Sequence, residues 1–126
     1  MANILLKLRC DPYPCDIWFT NSERMFNRKR SEITGDLNPM EGGCLGFVSR
    51  SGSGMTMVLG WFDEDLATLV HEVSHVVIYV FDAIGMDPSV YTTEAFAYLA
   101  ENIFSQCLDA IALSKKSLLT GTEHHD

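Results

Sequence analysis

His71-Glu72-Val73-Ser74-His75 carries three side chains that can cooperate on one reaction. On a helix, residues four apart share a face, so both imidazoles can aim a ring nitrogen at one ion. Neutral imidazoles are good zinc ligands, and helical spacing orders them in advance. Glu72 lies about 100° round the helix from His71. It therefore stands beside such an ion, where a carboxylate can take a proton from an activated water. The plainer reading is two histidines on a helix with no metal. Two His and a Glu are costly to bury on an otherwise apolar helix without a purpose, which favours the chemical reading.

A catalytic zinc takes three protein ligands and keeps one position for water. A third histidine ten residues after His71 would complete one familiar set, but Phe81 occupies that position. Asp82 lies about 10 Å beyond His75 along the helix, too far for the same ion. Glu94 is the better candidate. It opens the next helix after a loop long enough to lay that helix antiparallel beside the first.

The elements that must position these residues follow from the pattern. Ile4 to Arg9 suits a strand, and Cys10-Asp11-Pro12-Tyr13-Pro14-Cys15 a turn. Ile17-Trp18-Phe19 reads as a second short strand. Asn21 or Ser22 caps a short helix to about Arg30. Ile33 to Gly43 reads as a loop with room for a flap. Cys44 to Arg50 and Met55 to Phe62 form a hairpin around Ser51-Gly52-Ser53-Gly54. Asp63 is the expected N-cap of the long helix, which ends at Gly85 as an αL cap. Leu66, Leu69, Val70, Val73, Val77, Val80 and Ile84 mark its packing side. Glu64, Thr68, His71, His75, Tyr79 and Asp82 mark another stripe. Thr92 or Thr93 caps a last helix to about Leu113, and a frayed tail follows from about Lys115, with His124 and His125 at its end.

Composition narrows the class. The 126 residues suit one domain, and 47% of them are apolar, so disorder is not expected. A net charge of −8 argues against nucleic acid or an anionic membrane as partner. No apolar run reaches about 18 residues without polar interruption, so no transmembrane helix is expected. The N-terminus lacks a signal-peptide pattern, so Cys10, Cys15, Cys44 and Cys107 are expected as reduced thiols in a cytoplasm. Arg24, Arg28, Lys29 and Arg30 form a basic helix; a solvated face is its plainer reading, and a docking surface for an acidic partner the functional one.

His71-Glu72-x-x-His75 followed by Glu94-Ala95-Phe96-Ala97-Tyr98-Leu99 resembles the gluzincin side of the zincin metallopeptidases. The Glu-Ala start is also similar to the ImmA/IrrE peptidases, and the whole stretch looks like small zincin-like proteins encoded by bacteriophages. The similarity covers about residues 66 to 110. It implies one Zn²⁺ held by His71, His75 and Glu94, with Glu72 as general base and a protein or peptide as substrate. It implies an α+β, minimal zincin-like fold: a small N-terminal sheet with a short helix, then two long antiparallel helices carrying the metal. The sheet is expected to offer an edge strand to an extended substrate. Many gluzincins place an Asp four residues after the ligand Glu, and here that position is Tyr98. Tyr79, Tyr91 and Tyr98 are the candidates for a phenol that steadies the transition state or orients a ligand.

The expected activity is zinc-dependent peptide hydrolysis in the cytoplasm, a host's cytoplasm if the chain is phage-encoded. The rival is a non-catalytic inhibitor or assembly protein on the same scaffold with a structural zinc. The apolar fraction permits a homodimer.

Overall fold

The structure is a computed structural model, and it describes residues 1–40 and 42–124, with side chains described to Lys116. It is α+β: a four-stranded mixed sheet and three helices. The strands are β1 (Leu5–Leu8), β2 (Asp16–Thr20), β3 (Gly46–Arg50) and β4 (Thr56–Trp61). The helices are α1 (Glu23–Thr34), α2 (Leu66–Ile84) and α3 (Thr93–His124).

The sheet order is β1-β2-β4-β3. β1 and β2 pair antiparallel across the Cys10–Cys15 turn, with Leu6 opposite Phe19. β2 and β4 pair parallel, so α1 and β3 lie in the crossover between them. β3 and β4 form the expected antiparallel hairpin, and β3 is left at the sheet's edge.

β4 sits inside the sheet, and its residues from Met57 to Trp61 are all buried. Its side chains alternate between two layers, as a pleated strand requires. Met57, Leu59 and Trp61 join Ile17, Phe19, Leu69, Val73, Val76, Val77, Val80 and Ile103 in the main core under α2 and α3. On the other face Phe26 of α1 meets Phe47 and Phe62 edge-on, at 6.2 and 5.6 Å between ring centroids. Lys29 covers the Trp18 ring there at 3.9 Å. Burying one such aromatic side chain contributes roughly 1.5–3 kcal/mol.

Several boundaries differ from expectation. α1 runs on through Ile33 and Thr34 to an αL cap at Gly35, since its backbone meets no breaker before that glycine. The N-cap of α2 is Asp65, whose carboxylate accepts from the amide of Ala67 at 2.9 Å. Asp63 instead accepts from the Asp65 amide and the Thr68 hydroxyl, bracing the turn before the helix. Leu66 and Val70 are exposed, and Val76 and Phe81 take their places in the core. α3 continues through the segment expected to fray, as far as His124; His125 lies outside the described residues. By length and composition α2 could cross a membrane, contrary to expectation. Here its apolar side packs on the sheet and α3, while His71, His75 and Asp82 are exposed.

All four cysteines are free thiols. Gln106 of α3 fastens the end of β1: its Oε1 accepts from the Arg9 amide and its Nε2 donates to the Arg9 carbonyl, both at 2.8 Å. One side-chain amide thus satisfies a donor and an acceptor that a neighbouring strand would otherwise meet.

Candidate metal and catalytic site

α2 is held at both ends, and this fixes the rotation of its face. At the start, the Trp61 indole N–H donates to the Asp65 carbonyl at 2.6 Å. At the end, Gly85 adopts φ +74° and the Met86 amide returns to the Phe81 carbonyl at 2.8 Å. An αL cap of this kind suits glycine because no Cβ resists the positive φ.

With the core side down, His71 and His75 emerge side by side. Their Nε2 atoms stand 3.2 Å apart, and the ring centroids 4.9 Å apart. Two nitrogens bound to one tetrahedral zinc, each about 2.0–2.1 Å from it, are about 3.3–3.4 Å apart. The pair therefore fits two corners of such a site.

Glu72 turns toward β3 and is only 7% exposed. Burial raises its carboxyl above the usual range; the charges of His71 and His75 pull it down and Asp63 adds a smaller upward push. A carboxylate held so is better poised to accept a proton near neutrality than an exposed one.

β3 supplies the opposite wall. Gly46, Phe47 and Val48 share a cleft of about 310 Å³ with His71, Glu72, His75 and Tyr79. A second hollow beside it is lined by Leu45, Gly46, Ala67, Thr68, His71 and Glu72. The register shows which backbone groups face outward. The Phe62 amide donates to Leu45, and the Ser51 amide to Thr56. Ladder bonds in an antiparallel pair fall on alternate residues. Leu45, Phe47, Ser49 and Ser51 therefore bond toward β4, and Gly46, Val48 and Arg50 turn their N–H and C=O toward the open edge. The same three residues place their side-chain positions toward α2.

Glu94 is exposed in the first turn of α3, and among the described residues its carboxylate has no hydrogen-bond or ion-pair partner. Among the described residues, no group of three or more His, Cys, Asp or Glu side chains is arranged to hold a metal. Glu94 is thus not grouped with His71 and His75. Residues 85–92 explain its position: Thr92 ties this loop to Asp87 and Ser89, and Phe96 then packs on Phe81 at 5.6 Å. Phe81 lies about 9 Å along the axis beyond His75. The start of α3 is therefore level with the far end of α2.

Of the three tyrosines, Tyr79 lines the cleft and stacks on His75, with centroids 6.1 Å apart and planes at 24°. Tyr98 is 68% exposed and lines a different hollow, with Asp11, Pro12 and Tyr13. Tyr91 is 93% exposed and lines neither hollow beside His71. Two residues escaped the sequence reading. Gly46 admits the edge strand to Glu72, and a glycine inside a strand was the available signal. Arg50 lies over the Tyr79 ring at 4.3 Å and bonds Asp82 at 2.8 Å. Nothing in the order of residues announced that contact.

No family model matches this chain, and no curated protein or solved structure does.

Proposed function

We propose that the chain is a zinc-dependent metallopeptidase of zincin type. The observation that carries this reading is the facing of two convergent imidazoles and a buried carboxylate onto the open edge of β3. His71 and His75 would hold the ion; Glu94 is the third donor we assign to it, and because it stands level with the far end of α2 here, that role requires the start of α3 to move toward the histidines. Zinc, when bound, supplies a Lewis acid that polarises the scissile carbonyl and acidifies a water. An extended substrate pairs with the outward N–H and C=O groups of Gly46 and Val48, which brings its backbone alongside the histidines. Glu72 accepts the proton of the attacking water and passes it to the departing amine.

The rival is a binding protein with a structural zinc. Structural zinc sites are closed by four protein ligands. Here two imidazoles converge, and no group of three donors occurs among the described residues, short of the three ligands of a catalytic zinc as well as the four of a structural one. Glu72 is what favours the catalytic reading, since a structural ion has no use for it.

A paired substitution tests the proposal. Glu72→Gln is expected to keep zinc and lose cleavage of a peptide library, while His71→Ala loses both. Full cleavage by Glu72→Gln ends the general-base assignment, and no zinc in the unsubstituted protein after metal re-addition ends the metal reading.

A further inference from the structure

The two histidines are exposed, and an exposed imidazole is free to turn about its last torsion. Their convergence needs something to limit that freedom. The two rings hydrogen-bond each other, and among the described residues neither bonds a carboxylate or a backbone carbonyl, the partner that usually orients a ligating histidine. His75 has a ring neighbour instead. Tyr79, one turn on, stacks against it. Tyr79 in turn lies beneath the Arg50 guanidinium. Arg50 is anchored to Asp82, one turn further along α2.

We propose that Tyr79 and Arg50 are positioning residues for His75, replacing the usual polar partner with a stack that runs from the edge strand to the metal ligand. The inference rests on the metal reading above. The planar guanidinium suits the role because it can lie flat on an aromatic ring while its fork bonds a carboxylate. The stack limits the rotation of His75, so less ordering remains for the ion to impose. Arg50 also belongs to β3, whose outward groups are assigned to the substrate. Displacement of that strand would therefore reach the His75 ring through two side chains.

The test uses zinc and cobalt(II) with the full chain. Zinc affinity is measured by competition with a chromophoric chelator, and the visible spectrum of bound cobalt reports the ligand geometry. Melting of the metal-free proteins separates loss of fold from loss of the site. Tyr79→Leu is expected to weaken zinc binding about tenfold, the lower end for losing a ligand's orienting partner, and to change the cobalt spectrum. Tyr79→Phe keeps the ring and is expected to rescue both. Arg50→Met is expected to weaken binding less, and to add nothing in the Tyr79→Leu background, because it acts through the ring. Wild-type affinity and spectrum in Tyr79→Leu overturn the proposal while leaving the metal reading intact. Additive losses in the double variant overturn the role of Arg50. Should Tyr79→Leu fail to fold, unchanged zinc affinity and cobalt spectrum in Arg50→Met overturn the stack by themselves. Absence of zinc or cobalt uptake by the unsubstituted chain defeats the metal reading, and the inference with it.

Discussion

Gly46 and Glu72 meet across the gap between β3 and α2: a Cβ at position 46 would stand 3.0 Å from the Cγ of Glu72. It would also stand 2.9 Å from the Gly60 carbonyl oxygen and 3.1 Å from the Thr68 methyl. The side chain could yield, but the backbone oxygen could not do so cheaply. The edge strand approaches the carboxylate this closely because position 46 has no side chain.

Gly46→Ala is therefore expected to push β3 outward. Overpacking of this kind costs about 1–3 kcal/mol. Urea unfolding should show the loss, and peptide cleavage should fall further than stability alone explains. Unchanged stability would mean that the strand has slack at this point.

The raised carboxyl of Glu72 makes the stability of the metal-free chain depend on pH. Below about 4.5 the group is protonated in both folded and unfolded chains and costs nothing. Above about 4.5 the unfolded chain releases the proton that the folded chain still holds, so stability declines until the folded value is passed and then levels. Metal-free Glu72→Gln should thus gain on the wild type as pH rises from about 4.5. A gap that does not change as pH rises would refute the burial argument.

Glu94→Gln addresses the third ligand. Loss of a charged donor is expected to weaken zinc binding, with helix content unchanged because the residue is exposed and unbonded. Zinc addition should also alter hydrogen exchange in residues 85–96, since α3 starts level with Phe81 rather than His75. Equal zinc affinity in Glu94→Gln would exclude this carboxylate from the site.

The thiols should separate by burial. Burial pushes Cys10 and Cys107 up to about 12, while Cys44 is exposed. In mild base an alkylating reagent should modify Cys44 first and reach the other two only on unfolding. Because both folded values are raised, their contribution to stability is whole below the ordinary thiol value of 9.0 and falls as pH climbs toward 12. Rapid labelling of Cys107 in the native protein would contradict its place in the core.

The strands, the hairpin and the histidine helix were legible because each carries its own local signal. The start of α2 was less so: Asp63 and Asp65 are chemically equal as caps, and the contact of Trp61 with Asp65 favours the second. The face of α2 was ambiguous for a related reason. Valines lie almost all round it, and only the position of β4 and α3 buries Val76 in preference to Val70. The histidine pair follows from helical spacing alone. The place of Glu94 depends instead on how residues 85–92 fold back, and no periodicity encodes that.

The walls of the cleft, from Gly46 to Tyr79, come from β3 and α2, which only β4 separates along the chain. Joining them requires only short chain closures, which carry a small entropic cost. On a ribosome these pieces would leave the tunnel before α3 does. The imidazole pair would accordingly be laid against its edge strand first, and the last helix would close over a cleft already formed.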